Sequence, residues 1–213
     1  MTDQTMKKRR TPRAFVLLAV LLALLLLGGG IFAVFYIREA PYRRLNAMLE
    51  EAPASLSLTV TTTLEGEALN ATYTLENGEG AKRVTYAYEQ IAPFLWVEDH
   101  YEAPKERILR VEGSMRISNG RVVLLDGTQP NLPLEALTLS RLRFSSRCFA
   151  DVTEEQGSFS ATVTAPGALF GYTGDATAMQ LALAHDGTRV QTLTLTFENS
   201  LGESVWMQYA FTY

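Results

Sequence analysis

The chain has one cysteine in 213 residues, so no disulfide can form within it. A domain outside the cytoplasm must then stand on packing alone. Cysteine poverty there fits a bacterial envelope better than a eukaryotic secretory pathway. Cys148 reads as a small buried residue rather than a reactive thiol. It also argues against a lipoprotein anchor. An acylated cysteine must directly follow the apolar core of a leader, and Cys148 lies far beyond any such core.

Histidine is almost as scarce. His100 and His185 have no partner histidine at i+4 and no cysteine at zinc spacing, so no zinc site is expected. The chain has no G-x-S-x-G elbow. It has no Walker sequence either. Gly78 and Gly80 in ENGEGAKR lack a third glycine and read as a turn. Glu98, Asp99, His100, Glu102 and Glu106 form an acidic cluster without the alternating spacing and turn glycine of a calcium loop, and a solvated loop is expected. Without a catalytic motif the chain is read as a non-enzyme with no cofactor and no metal. Asn70-Ala71-Thr72 matches a glycosylation sequon, which matters only in a eukaryotic secretory pathway.

Charge is absent from Ala14 to Ile37, which reads AFVLLAVLLALLLLGGGIFAVFYI. As a helix this run reaches about 36 Å, enough to cross a hydrocarbon core of roughly 30 Å with some tilt. Five basic residues (Lys7, Lys8, Arg9, Arg10 and Arg13) precede it against the single acid Asp3, a net of +4 over residues 1–13. Positive flanks resist translocation, so the N-terminus is expected in the cytoplasm and the rest outside. Tyr36 and Tyr42 suit an interfacial aromatic belt. A cleaved signal peptide is the rival reading, with an apolar core ending near Leu27 and a cut after Gly28–Gly30. Apolar residues resume at Ile31–Ile37 and the run exceeds a usual signal core, so an uncleaved anchor is expected.

Residues 38–213 carry 14 basic and 22 acidic residues, a net of −8. That balance argues against nucleic acid and against docking on anionic headgroups. Residues 38–54 place Tyr42, Leu45, Met48 and Leu49 on one helical face after Pro41 and read as a juxtamembrane amphipathic helix.

From Ser55 the apolar period changes to two. Leu56, Leu58 and Val60 alternate with serine and threonine, then Leu69, Ala71, Tyr73 and Leu75 alternate in turn. Further strands follow at Val84–Tyr88, Leu109–Ile117 with Gly113 as a bulge candidate, Val122–Leu125, Phe159–Val163, Met179–Leu183, Leu193–Phe197 and Val205–Tyr213. Asn77-Gly78, Asn119-Gly120 and Asp186-Gly187 signal hairpins. Residues 126–157 read as a short helical excursion. The expected fold is mainly β (α+β): one transmembrane helix at 14–37, then a domain over 55–213 built on a large curved antiparallel sheet of nine to ten strands.

This order resembles the half-barrel of bacterial lipoprotein carriers, the LolA-like superfamily, across residues 42–213. The shared pattern is an N-terminal helix, consecutive long hairpins, a helical middle and closing hairpins. The segment from Pro133 through Val163 to Leu169–Gly171 looks like mid-sized envelope proteins of Gram-positive bacteria built this way. No functional residue carries over. The resemblance implies a half-barrel and a lipidic ligand, although a transmembrane anchor departs from the soluble or lipid-anchored carriers. The aromatics Tyr73, Tyr86, Tyr88, Trp96, Trp206, Tyr209 and Phe211 then read in two ways: as a sheet core, or as a concave lining for an acyl chain. The expected partners are the membrane and an outer lipid or protein. The alternatives are a scaffold module capturing a partner strand, and an enzyme with a dispersed site.

Overall fold

The computed structural model describes residues 13–64, 66–91, 108–130, 132–139, 142–170, 173 and 175–213. Trp96, the acidic cluster around His100, and the basic tail before Arg13 lie outside the described residues. Two compact units divide at Pro41/Tyr42.

The first unit is dominated by α1 (Arg13–Arg38). Leu17–Arg38 is long and apolar enough to cross a membrane, with a mean hydropathy of 2.8 and nothing buried in that window. Such a helix is compatible with an anchor or a signal sequence.

The second unit begins within α2 (Ala40–Glu50). Ten strands follow: β1 (Ser55–Leu64), β2 (Glu67–Gly78), β3 (Ala81–Ile91), β4 (Ile108–Ser118), β5 (Arg121–Asp126), β6 (Phe149–Glu155), β7 (Ser158–Val163), β8 (Thr177–His185), β9 (Val190–Glu198) and β10 (Ser204–Thr212). α3 (Leu134–Thr138) lies between β5 and β6, and α4 (Pro166–Leu169) lies between β7 and β8. The strands form one open antiparallel sheet in the order β5-β4-β3-β2-β1-β10-β9-β8-β7-β6. Neighbouring strands are consecutive in the chain except β1 and β10, which bring the two halves of the unit together.

The sequence alternation appears as rows across one face. Tyr86, Tyr73, Leu58, Tyr209, Leu193, Leu183 and Phe159 are successive register partners. A second row runs Tyr88, Ala71, Val60, Met207, Leu195, Leu181 and Ala161. Rows of this kind set the register, because a one-residue slip would turn a whole strand's apolar set to water.

A sheet with one apolar face needs a cover. Tyr42, Leu45 and Met48 of α2 provide part of it, at the spacing of one helical face. Tyr42 stacks on Phe149 at 5.6 Å and meets Phe159 edge-on at 6.1 Å. The Asn46 amide pins the helix by donating to Phe144 O and accepting from Phe144 N, both at 2.8 Å. Leu137, Leu142, Phe144, Cys148, Leu169 and Phe170 complete the cover from short helices and irregular chain.

Two local expectations need correction. Asn77-Gly78 is not the turn itself. Both residues are still paired, to Lys82 and Ala81, and Glu79-Gly80 turns the chain with Gly80 at φ +72°. Asn77 is held in the strand end by its side-chain bond to Pro53 O. Residues 126–157 also hold more than a helical excursion, since Phe149–Glu155 is the edge strand β6. Its alternation is hidden because pairing with β7 shifts between Ala150 and Thr153, with Asp151 at φ +49°.

Gly113 pairs with Tyr86, and the tyrosine ring lies across it. A Cβ there would fall on Tyr86 Oη and Asp126 O. The Tyr86 hydroxyl donates toward Thr128 O at 2.8 Å, with Asp126 O at 3.2 Å. The register irregularity lies one step on, at Ser114/Met115, where β5 carries the extra residue Leu125. Gly113→Ala is expected to destabilise the unit by about 1–3 kcal/mol through overpacking. Tyr86→Phe is expected to cost about 0.5–1.5 kcal/mol through its lost hydrogen bonds. Unfolding followed by near-UV circular dichroism measures both, and a neutral Gly113→Ala would contradict the packing described.

Candidate functional site

The structure separates the aromatic set proposed from sequence. Tyr73, Tyr86, Tyr88, Tyr209 and Phe211 share the covered face by register. Tyr73, Tyr86 and Tyr209 are at most 5% exposed, whereas Tyr88 and Phe211 are half-buried. Trp206 alternates with Val205 and Met207 and faces the other way, paired with Thr61 and Thr196. Tyr73 and Tyr86 lie 6.3 Å apart by ring centroids, and Tyr86 and Tyr88 lie 6.1 Å apart. Burial of Tyr73 pushes its phenol up to about 12, aided by the neighbouring Tyr88 and Tyr86 hydroxyls. These tyrosines form a continuous packed stripe.

An open cavity of about 190 Å³ lies elsewhere on the same face. Its apolar walls are Leu49 of α2, Leu56 and Leu75 of β1 and β2, Phe211 of β10, and Leu137, Leu139 and Leu142 in and after α3. Of the six described aromatics named above, Phe211 alone lines it. Leu139 ends α3 in the left-handed conformation, at φ 51°, which turns the chain toward Leu142. The polar members are Glu50, Asn77, Lys82, Thr138 and Arg143. The Asn77 amide is engaged with Pro53 O, and Thr138 Oγ1 donates to Leu134 O at 3.0 Å. A shallower groove continues past Asn77, Lys82 and Thr138 along the β2–β3 and β4–β5 turns.

Lys82 and Arg143 escaped the sequence reading. Arg143 had no signal, because it follows α3 in irregular chain. Lys82 had one: it stands in phase with Val84, Tyr86 and Tyr88, at an apolar position of β3. It is half-buried there and makes no ion pair among the described residues.

A second depression holds Arg44, Glu154, Glu155, His185 and Asp186 at the β6–β7 and β8–β9 turns. Its groups serve the turn. His185 Nδ1 accepts from Gly187 N at 3.1 Å. Asp186 Oδ1 accepts from the Thr188 hydroxyl and from the amides of Thr188 and Arg189, which draws its carboxyl down to about 2. Among the described residues no three acidic, histidine or cysteine side chains come together to hold a metal ion.

Compared with known proteins, the chain matches no family model and no curated protein.

Tyr73 gives this face a pH signature. Its folded pKa is raised, so its contribution is complete below pH 10 and is lost as pH rises toward about 12. Stability should fall across that window and fall less in Tyr73→Phe. Unfolding midpoints between pH 9 and 12, with phenolate absorbance read alongside, test this; equal slopes in the two proteins would refute it.

Proposed function

We propose that the chain is a single-pass envelope protein of a bacterium, N-terminus cytoplasmic, whose extracytoplasmic β domain binds a lipidic or apolar ligand without transforming it. The observation that carries this reading is the open leucine-walled cavity beside α3. Leu49, Leu139 and Phe211 stay half-buried in its lining beside Lys82 and Arg143, and small-ligand sites combine apolar wall with a few placed polar groups. In this proposal α1 is an uncleaved anchor, which keeps the domain at the membrane surface where lipidic ligands are concentrated. The LolA-like half-barrel is part of the same reading: a twisted sheet covered on one face by short helices would present its groove on the concave side. No catalytic role is assigned.

A specific observation favours a second reading, a scaffold module that captures a partner strand. β5 is an end strand, and Val123, Leu124 and Leu125 are 46%, 42% and 54% exposed. The irregularity at Leu125 interrupts that edge, which leaves the cavity as the stronger site.

Native mass spectrometry of the full chain, released gently from nanodiscs, is expected to show a lipidic adduct that is lost in Leu49→Arg, at a half-buried position of the lining. Repeated absence of any adduct from wild type, with the cavity still open in a crystal structure, would sink the ligand-binding reading. Topology has its own test. A phosphatase fused after Tyr213 should be active only if that end is outside, and a cytoplasmic C-terminus would overturn the proposed orientation.

A further inference from the structure

We infer that the cavity takes an anionic single-chain amphiphile, with the charged head on Lys82 and Arg143 and the chain against Leu49, Leu139 and Phe211, the half-buried apolar members of the lining. This inference rests on the ligand-binding reading above and adds the sign of the ligand's charge. Lys82 carries the argument. It occupies a covered-face position on β3, two residues from fully buried Val84, where apolar side chains are the rule. The residue is half-buried, and its ammonium makes no ion pair among the described residues. Its four-carbon stem can pack along apolar wall while the charge reaches the cavity mouth. Arg143, an exposed residue, adds a second cation to the same lining, and its Nη1 donates over a long 3.4 Å to the adjacent Leu142 O. Glu50 is the one carboxylate there; it is exposed at the end of α2 and leaves the lining at a net of one positive charge. That local sign opposes the net −8 of residues 38–213 as a whole.

Size and polarity narrow the occupant further. At about 190 Å³ the cavity lies below the roughly 300–1,000 Å³ of drug-sized ligand sites, which suits one chain end better than two acyl chains. The uncharged polar groups of the lining, Asn77 and Thr138, are already engaged within the protein. A peptide backbone would find few partners there, whereas a methylene chain needs none. The head can be a carboxylate, as in a fatty acid, or a phosphate, as in a lysolipid.

The test uses the full chain in nanodiscs, with leucine methyl groups observed by NMR during titration with hexanoate, hexyl phosphate and hexanol. Shifts at Leu49 and Leu139 are expected for both anions, with hexanol at least about tenfold weaker. Lys82→Met should remove that preference and leave hexanol binding unchanged. It should also leave the thermal midpoint unchanged or higher, because it replaces an unpaired charge by an apolar side chain at an apolar position. Arg143→Met is the second variant, and a smaller loss of the same preference is expected. Tighter hexyl phosphate assigns a phosphate head, and tighter hexanoate assigns a carboxylate; both outcomes support the inference. Hexanol binding as well as hexanoate overturns the anionic head and leaves the ligand-binding reading standing. No shift with any of the three overturns both. Tighter binding of acetyl-Ala-Leu carboxylate than of hexanoate overturns the amphiphile in favour of a protein C-terminus.

Discussion

One broad apolar sheet face, with little helix to cover it, is the constraint on which the second unit depends. Ten strands present continuous rows from Tyr86 to Phe159 and from Tyr88 to Ala161. α2 has eleven residues, α3 five and α4 four. Helices that short cannot hide such a face, so irregular chain shares the task, notably Leu142–Phe149. Irregular chain brings backbone groups that must be bonded when buried. The Asn46–Phe144 pair meets that need on α2, and Thr164 N to Cys148 O at 2.8 Å meets it at the start of β6. Among the described residues no buried side-chain nitrogen or oxygen lacks a partner.

The strands were legible because period two is a direct image of a half-buried sheet, and each row repeats it on the neighbouring strand. The hairpins were legible from asparagine, aspartate and glycine, although Asn77 shows the limit of that signal. A side chain bonded to Pro53 O is worth more inside the strand end than in the turn. β6 was not legible, because bulging breaks its alternation and only Phe149 at its start is buried. The cover over Leu142–Phe149 buries alternate residues, Leu142, Phe144, Ser146 and Cys148, but the serine among them and the adjacent Phe149 blur the pattern in the sequence. The aromatic residues drew attention by type, and the structure makes most of those described a packed stripe. The cavity depends instead on where α3 stops and where the sheet rows run out, which are properties of tertiary packing.

The two edges of the sheet are unequal. β6 carries Asp151, Glu154 and Glu155 and is bulged, a combination that repels a pairing strand. β5 carries Val122 to Leu125 between Arg121 and Asp126, and relies on the Leu125 irregularity and the loop held by Tyr86. The difference follows from the cover. The aromatic group of Tyr42, Phe144, Phe149 and Phe159 lies at the β6 side, while Leu124, at a covered-face position opposite Met115, is 42% exposed.

Where a cover thins, the residues at its margin answer either to stability or to something outside the chain. Most marginal residues here satisfy the first: Asp186 organises its turn, and Arg189 grips Glu51 at 2.6 Å while lying over the Tyr213 ring at 4.9 Å. Lys82 satisfies neither folding rule. Its phase on β3 assigns it to the apolar face, and its chemistry assigns it to water. An otherwise consistent sequence breaks local rules chiefly at functional positions. A methionine at 82 would suit the strand and the cavity wall alike. The lysine supplies what methionine cannot, a positive charge in the lining of the cavity.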